Sequence, residues 1–474
     1  MPNRSSRRQT WHCRCGIAFV AIVAGARICG AEPLTYEPAR DPAVGFNLIS
    51  WWNFGANGEN IWRSAVRDMH SHGFGHVSLC PIRVFNPVTG AISESPQLPS
   101  LAQVAAAADE ARQLGMTVTI NPFIEPEGFE FWRGTWDPPR MARERFWGDY
   151  EQYISEVAAM AEDNEADRLL VGTELRAITR NVAHKQAWGE TISAAAEHFT
   201  GKIGYAANHD EYDGSSITSS IWEHPDIDFI GVDAYHPLTT PTQADASGPY
   251  PDEAFIDIVR DRWNEILDEE ILPFAAARKG GAGMEVVFTE TGLVPFNRTT
   301  STPWNFDTDE DSIDQGEQLN GYEALIEAID GRRDLLGAVH LWQWGMPGAA
   351  GSPFYLNPDG VNVPSSGFDE SLGAPAARYL SDYVRTARQP GDTNADGLVN
   401  VEDLNAVRNH YGESGGNVPG DADGNGVVGI EDLNAVRNNF GAGQPANSVP
   451  EPHAVVMLLV GVISFSGLRF WRSL

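Results

Sequence analysis

Eight short apolar runs alternate with helix-like stretches between about Gly45 and Trp344. Each run has the length and the apolar content of a buried strand, and the intervening segments are long enough for a helix. Eight such repeats predict an α/β fold, a closed (β/α)₈ TIM barrel with parallel strands. We assign the barrel domain to residues 40–388. Its strands are predicted within Gly45–Trp52, His76–Arg83, Met116–Pro122, Leu169–Leu175, Lys202–Asn208, Ile227–Tyr235, Glu285–Glu290 and Ala338–Trp344.

Capping residues and periodicity support helices between these strands. Ser100 is a suitable N-cap for the alanine-rich stretch that follows it, and Gly115 is placed to end that helix before the third strand. The segment from Tyr150 to Ala161 has apolar residues at helical spacing, which predicts a helix before the fourth strand.

Two glutamates end apolar runs in matching positions of this pattern. Glu174 follows the fourth run and Glu290 ends the seventh, and parallel barrels carry their reactive side chains at the C-terminal ends of the strands. A single glutamate at such a place more often caps a strand or pairs with an arginine, but a matched pair favours catalysis. Two carboxyl groups facing one sugar are sufficient to cleave a glycosidic bond. We therefore predict that Glu174 and Glu290 are the catalytic residues of a glycosidase.

The net charge restricts the possible partners. The 474-residue chain has 65 acidic and 33 basic side chains, for a formal net charge of -32. Such a charge disfavours nucleic acid and anionic surfaces as partners that bind by electrostatic attraction. Neutral polymers, among them polysaccharides, and cations remain possible ligands.

Both ends of the chain have features of targeting segments. Residues 1–31 combine four early arginines, an apolar run from Ile17 to Ala26 and small residues up to Ala31, which predicts a signal peptide; a membrane anchor is the alternative. Three of the four cysteines fall in this segment, so the mature chain would keep only Cys80 and form no internal disulfide. Residues 449–474, with Val449-Pro-Glu-Pro452, an apolar run and terminal arginines, resemble a PEP-CTERM sorting signal, or else form a weak tail anchor. We expect an exported protein, secreted or associated with the cell envelope, whose membrane contact is confined to these segments.

A duplicated segment follows the barrel, within residues 391–443. Val401-Glu-Asp-Leu-Asn-Ala-Val-Arg-Asn-His-Tyr-Gly412 recurs almost unchanged as Ile430-Glu-Asp-Leu-Asn-Ala-Val-Arg-Asn-Asn-Phe-Gly441. An oxygen-rich loop precedes each copy, and its spacing fits the loop positions that supply ligands to Ca²⁺. A solvated acidic turn is the alternative, but two copies with the same spacing favour calcium. The predicted ligands are Asp392, Asn394, Asp396, Leu398, Asn400 and Asp403 in the first loop, and Asp421, Asp423, Asn425, Val427 and Asp432 in the second.

Each loop closes with aspartate instead of glutamate, and one helix follows each loop. With these features the segment resembles a type I dockerin. The resemblance implies a small all-α calcium-binding domain and a possible protein partner of the cohesin type.

An ordered set of motifs spans the barrel region. They are Trp132-Arg-Gly134 followed by Trp147, Tyr150 and Tyr153, then Gly172-Thr-Glu-Leu175, Tyr205-Ala-Ala-Asn208, Gly231-Val-Asp-Ala-Tyr235 and Phe288-Thr-Glu-Thr-Gly292. Together they resemble glycoside hydrolase family 113. The resemblance implies a (β/α)₈ fold, no cofactor for catalysis, and a retaining mechanism, typically that of an endo-β-1,4-mannanase.

The same resemblance suggests roles for individual residues. Glu174 becomes the acid/base and Glu290 the nucleophile, while Tyr235 could hydrogen-bond the nucleophile and keep it ionised. Arg83 could do the same or could brace a loop. The family pattern ends its third strand with Lys-Pro-His, where this chain has Asn121-Pro122-Phe123. The residues expected to contact substrate are Trp52, Arg83, Asn121, Trp132, Asn208, Asp233, Tyr235 and Trp342, with Trp304 as a further aromatic candidate.

Two other functions are compatible with the residues. The barrel could be a catalytically inactive carbohydrate-binding or cell-surface structural domain that leaves the interaction to the calcium module, although the two intact glutamates argue against this. A metal-dependent hydrolase would need a set of ligands. His76, His209, His236 and His340 are scattered, and no two have the spacing of a chelating motif.

Overall fold

The structure is a computed structural model. It describes residues 43–51, 61–212, 221–305, 312–330, 332, 335–346, 352–360, 369–387, 391–393, 398–414, 418–422 and 427–442.

Eight parallel strands form a closed barrel, which confirms the predicted fold. Each of the eight predicted runs contributes one barrel strand, and the first strand pairs with both the second run and the last, so that the sheet has no free edge. Numbered along the chain, the strands follow the order β1-β11-β10-β9-β8-β7-β5-β2 around the barrel. The barrel strands are β1 (Val44–Leu48), β2 (His76–Leu79), β5 (Thr117–Ile120), β7 (Arg168–Thr173), β8 (Lys202–Asn208), β9 (Phe229–Asp233), β10 (Glu285–Thr291) and β11 (Leu336–Leu341).

Prolines divide the second and third predicted runs. The chain leaves the barrel sheet before Pro81 and before Pro122, because proline has no N–H to continue the ladder. Each run then resumes as a strand outside the barrel, and these two strands pair in parallel in a separate three-stranded sheet. The small sheet consists of β3 (Ile82–Phe85), β4 (Ile92–Ser93) and β6 (Phe123–Pro126).

The helices bury one face against the strands. In the first helix, Trp62, Ala65, Val66 and Met69 join the core cluster that contains the apolar strand residues. As predicted, Ser100 caps a helix through a capping box with Gln103, and Gly115 follows that helix with φ of +76°. The helices are α1 (Ile61–Ser71), α2 (Leu101–Gln113), α3 (Arg143–Asp163), α4 (Arg176–Thr179), α5 (Lys185–Ala196), α6 (Pro241–Ala244), α7 (Glu253–Glu265), α8 (Leu272–Ala276), α9 (Gln315–Asp330), α10 (Ala374–Ala387), α11 (Val401–His410) and α12 (Ile430–Asn439).

The duplicated segment forms two helices, α11 and α12, around a small valine core. Val399, Val407, Val428 and Val436 are fully buried in it. Gly391 and Gly420, the residues that precede the two loops, have φ of +97° and +93°, and each lies directly against the backbone of the helix from the other repeat. A side chain at either position would collide with that helix, so the two copies are packed reciprocally. Its assignment as a dockerin remains a prediction.

Among the described residues, no helix is both long and apolar enough to cross a membrane. The two terminal segments expected to direct export lie outside the described residues.

Candidate active site

A cavity of about 970 Å³ opens where the barrel strands end. Both predicted catalytic residues line it, and aromatic side chains provide much of the remaining surface. Flat apolar faces beside a few polar groups are typical of small-molecule and sugar sites. The lining residues are Trp51, Phe123, Glu125, Phe129, Phe131, Trp132, Arg133, Glu174, Arg176, Asn208, His209, Asp210, Tyr235, Glu290, Trp304, Trp342 and Phe354.

Glu174 follows β7 immediately and receives three hydrogen bonds. Its Oε2 accepts from Trp132 Nε1 and from Arg133 Nη2, both at 2.9 Å, and its Oε1 accepts from Asn208 Nδ2 at 3.1 Å. The backbone of Glu174 has φ of +50°, a left-handed conformation that is costly for a residue other than glycine. Strain of this kind is maintained only where surrounding contacts fix the chain, which is common at active sites.

Glu290 lies near the end of β10 and has a different environment. Only 4% of its surface is exposed, and Oε2 accepts a hydrogen bond from the Tyr235 hydroxyl at 3.2 Å. Its Oε1 has no hydrogen-bond partner among the described residues. This carboxyl group therefore keeps one oxygen that no hydrogen bond occupies.

Burial controls the ionisation of Glu290. It raises the pKa of Glu290 well above the usual range, and the carboxyl of Asp233, which is paired in register with Glu290 on the neighbouring strand, raises it further. Arg133 and the Tyr235 hydroxyl act in the opposite direction. Burial also raises the pKa of Asp233, which is 0% exposed. Two adjacent buried carboxyl groups resist a double charge, so each raises the pKa of the pair.

Four of the predicted substrate-binding residues line the cavity: Trp132, Asn208, Tyr235 and Trp342. The first three donate hydrogen bonds to the catalytic pair, so they organise the glutamates directly. Trp342 stacks at 6.0 Å from the ring of Phe123, which is the apolar residue of the divergent Asn121-Pro122-Phe123 motif. Trp52 lies outside the described residues.

The structure places three predicted substrate contacts outside the lining of the cavity. Arg83 does not line the cavity: it donates to Glu94 and Glu156 and lies over the ring of Tyr153, because the chain leaves the barrel before Pro81 and carries Arg83 into the small sheet. Asn121 is fully buried and accepts a hydrogen bond from the Thr173 hydroxyl. Asp233 is also fully buried and accepts from the Thr289 hydroxyl at 2.7 Å. Asn121 and Asp233 thus support neighbouring strands and do not reach the cavity surface.

Trp304 lines the cavity and is 46% exposed. Its ring stacks on that of His209 at 5.5 Å with an interplanar angle of 11°, and His209 contacts the ring of His236 behind it. Burial lowers the pKa of both histidines, that of His236 to about 3. The stack is therefore uncharged at neutral pH and presents an aromatic wall to the cavity.

Arg133 and Glu125 line the cavity but were not among the predicted site residues. Arg133 is 5% exposed and donates to Glu125 Oε1 at 2.6 Å, as well as to Glu174. The Trp132-Arg-Gly134 motif contained the relevant signal, since its arginine adjoins a predicted sugar contact. Glu125 follows Pro122 in a strand that is absent from a simple eight-strand pattern, so its position could not be deduced from the alternation of elements.

In the described part of the chain, one group of acidic and histidine side chains is close enough to hold a metal ion. It consists of Asp68, His72 and Asp359, and none of these lines the cavity. Of the four histidines considered above, His209 lines the cavity and is engaged in the aromatic stack.

The calcium loops are described in part. Asn394, Asp396, Asp423 and Asn425 lie outside the described residues. Asp403 and Asp432 are fully buried, and each accepts two backbone N–H groups of its own loop, from Thr393 and Asn400 in the first and from Ala422 and Gly429 in the second. Carboxylate and carbonyl oxygens are the donors that suit Ca²⁺.

Comparison with solved structures shows proteins with the same barrel fold. A β-mannanase of glycoside hydrolase family 113 from Alicyclobacillus acidocaldarius, solved in complex with ManMIm, is 20% identical, with coverage of 72% of this chain and 97% of that chain and a TM-score of 0.53. Two further structures of family 113 β-1,4-mannanases are each 16% identical, cover 73% and 72% of this chain and 99% and 97% of their own, and have TM-scores of 0.52 and 0.51. At these identities the likeness establishes the barrel fold. The comparison with curated proteins gave no match.

The family itself follows from the sequence model of Glycoside Hydrolase Family 113, which matches residues 54–349, more than half of the chain. The matched region includes both glutamates and the strands that carry them. The chain therefore belongs to glycoside hydrolase family 113, and its barrel is that of a glycosidase.

Proposed function

We propose that this protein is an exported, retaining glycosidase that hydrolyses a β-1,4-mannan. The observation that carries the proposal is the pairing of two unlike glutamates in one cavity. Glu174 is surrounded by N–H donors, whereas Glu290 is buried beside a tyrosine hydroxyl and retains one oxygen without a hydrogen bond.

The two carboxyl groups have complementary roles in this reaction. Glu290 Oε1 attacks the anomeric carbon while Glu174 gives its proton to the departing glycosidic oxygen, and a covalent glycosyl–enzyme forms. Glu174, now ionised, removes a proton from water, which attacks the same carbon and releases Glu290. Two inversions at the anomeric carbon give net retention of configuration.

The lining of the cavity favours a neutral pyranose substrate. Trp342 and Trp304 contribute aromatic rings to its lining, and such rings pack against the C–H faces of sugars. The preference for mannan is inferred from the family and from the β-1,4-mannanases that share the fold. Phe123 replaces a polar residue of the family pattern, so we expect its ring to add apolar contact beside Trp342.

Product analysis on a panel of β-mannans, β-glucans and β-xylans tests the substrate. We expect soluble manno-oligosaccharides from the mannans alone, with the β-anomer formed first. An inactive carbohydrate-binding protein would bind a polysaccharide without releasing products, and cleavage of glucan or xylan in preference to mannan would overturn the substrate assignment.

Two variants test the roles of the glutamates. Glu290→Ala should lose nearly all activity, and azide should restore turnover of an activated glycoside with formation of an α-glycosyl azide. Glu174→Ala should lose roughly 10²–10⁴-fold on polysaccharide, the usual contribution of a general acid, yet it should still release dinitrophenolate from an activated glycoside. Azide should then give a β-glycosyl azide. Exchange of the two azide products would reverse the assigned roles.

The other parts of the chain have proposed roles as well. Residues 1–31 and 449–474 would direct export and sorting, and residues 391–443 would bind Ca²⁺ and offer a dockerin-like surface to a cohesin-type partner. The oxygen ligands in both loops support calcium, and the reciprocal packing of the two repeats supports a single folded module.

A further inference from the structure

We infer that Arg133 is a positioning residue that fixes which oxygen of Glu174 carries the catalytic proton, and that Glu125 balances its charge. The inference rests on the proposed role of Glu174 as acid/base. It assigns the transferable proton to Oε1.

Arg133 is held in one geometry by four contacts. Its Nε donates to the Thr173 carbonyl at 3.0 Å, Nη1 to Glu125 Oε1 at 2.6 Å, and Nη2 to Glu174 Oε2 at 2.9 Å. The flat face of the guanidinium lies 4.3 Å from the ring centroid of Phe123. Only 6% of the side chain is exposed, so water competes little for these bonds. A lysine could not reproduce them, since it lacks the planar fork.

The contact with Thr173 adds backbone control. Thr173 directly precedes Glu174, and Arg133 therefore binds both the chain before the glutamate and the carboxyl group itself. Because Glu174 has φ of +50°, its backbone needs such external contacts. Arg133 therefore fixes the orientation of the Glu174 carboxyl group relative to the end of β7.

The donors on Oε2 decide where the proton can lie. Arg133 Nη2 and Trp132 Nε1 both donate to this oxygen, and neither group can accept a hydrogen bond. A proton on Oε2 would face two N–H groups and break at least one bond. Within the part of the chain that the structure describes, Oε1 accepts a hydrogen bond from the side-chain amide of Asn208, which can turn and offer its oxygen to an O–H group. The protonated acid is therefore accommodated with the proton on Oε1.

Glu125 prevents Arg133 from acting on Glu174 alone. Arg133 donates to both carboxyl groups, through Nη1 to Glu125 and through Nη2 to Glu174. Glu125 is 6% exposed and takes the shorter of the two ion-pair bonds of Arg133. Burial raises the pKa of Glu125, and the ion pair with Arg133 opposes this effect.

The test uses the fact that the need for a general acid depends on the leaving group. We would compare Arg133→Met and Arg133→Lys with wild type by kcat/KM on the polysaccharide that the wild type cleaves and on the dinitrophenyl glycoside of the same sugar, whose leaving group needs no acid. Displacement of a catalytic group can cost about 100-fold. We expect a loss of about that size on the polysaccharide in both variants. On the activated glycoside, whose first step depends on Glu290, Arg133→Lys should stay within roughly threefold of wild type, because it keeps the positive charge that favours the ionised form of Glu290. Arg143→Met, on an arginine that pairs with Asp137 outside the cavity, is the matched control and should change neither value.

Equal losses on both substrates in Arg133→Lys, or no loss on either, would overturn the inference. If the Arg133 variants fail to fold, Glu125→Gln provides the test, because its amide oxygen can still accept from Arg133 while the negative charge is gone. We expect Glu125→Gln to lose more kcat/KM on the polysaccharide than on the dinitrophenyl glycoside, since the charge of Arg133 then acts on Glu174 alone. Equal effects on the two substrates would overturn the role of Glu125. A wild type without activity on any panel polysaccharide would instead contradict the proposed function.

Discussion

At the scale of single residues, position at a strand end did not by itself predict contact with substrate. Asn208 and Asp233 both end barrel strands and are paired in register, yet Asn208 lines the cavity and Asp233 is buried beneath it. The sequence shows which residues end a strand, but orientation depends on the register and twist of the closed barrel. Glu174 and Glu290 could be selected because two carboxylates occurred in matching places, a pattern that chance rarely produces.

The buried carboxyl of Asp233 should make folding stability depend on pH. Burial raises the pKa of Asp233 in the folded protein above the ordinary value of about 3.9. Below that ordinary value the group is protonated in both the folded and the unfolded state, and its burial costs no charge. The free energy of unfolding then falls as pH rises toward the folded-state pKa. Asp233→Asn keeps an oxygen for the Thr289 hydroxyl and has no charge. We expect this variant to gain stability relative to wild type between pH 4 and pH 8, as measured by chemical unfolding.

A control must separate this effect from the simple loss of a negative charge. Asp109→Asn serves this purpose, because Asp109 interacts with Gln113 on the exposed side of α2. An Asp233→Asn stability difference that is constant, or that shrinks with rising pH, would contradict the assigned burial of the charge.

At the scale of elements, the eight barrel strands were predictable because strands buried on both faces read as continuous apolar runs. The small sheet of β3, β4 and β6 was not predicted, since its strands continue two of those runs beyond Pro81 and Pro122. This unpredicted sheet has functional consequences. It removes Arg83 from the cavity and supplies Phe123 and Glu125 to it.

The strand ends that carry the glutamates share a second structural feature. After each glutamate, a buried backbone amide donates to a buried tyrosine hydroxyl: Leu175 N to Tyr205 at 2.9 Å, and Leu293 N to Tyr322 at 3.0 Å. Each tyrosine thus anchors the chain just beyond a catalytic residue. No periodic pattern in the sequence indicates such contacts.

Tyr205→Phe should impair both stability and activity. The change leaves the amide of Leu175 buried without an acceptor, which costs about 1–3 kcal/mol of unfolding free energy. It also loosens the chain next to Glu174, so kcat on polysaccharide should fall. Tyr150→Phe is the matched control, since its hydroxyl donates to Val171, earlier in the same strand. Equal losses of kcat in the two variants would show that the contact next to Glu174 has no special role.

At the scale of the whole molecule, the sequence predicted the order of the barrel strands better than the cavity surface that the loops between them form. The aromatic cavity combines Trp51, Trp304 and Phe354, which come from widely separated loops. Alternation of apolar and polar residues defines strands and helices, but it contains little information about which loops meet. The repeat was easier to interpret, because two copies with identical spacing limit both the possible ligand positions and the places where the helices can begin.

Calcium removal should separate the function of the module from that of the barrel. Without an ion, the acidic groups of each loop repel one another, and Asp403 and Asp432 also hold the loop backbone at the start of α11 and α12. We expect a chelator to make residues 391–443 of the full-length protein susceptible to proteolysis, while activity on polysaccharide stays within about twofold, because the proposed mechanism requires only the chain's carboxyl groups. Calorimetric titration of the chelated protein should give two calcium equivalents, and Asp403→Asn and Asp432→Asn should each remove or weaken one of them. Loss of activity in step with calcium would place the ion in the barrel instead, and absence of calcium uptake would leave the repeat as an acidic helical pair.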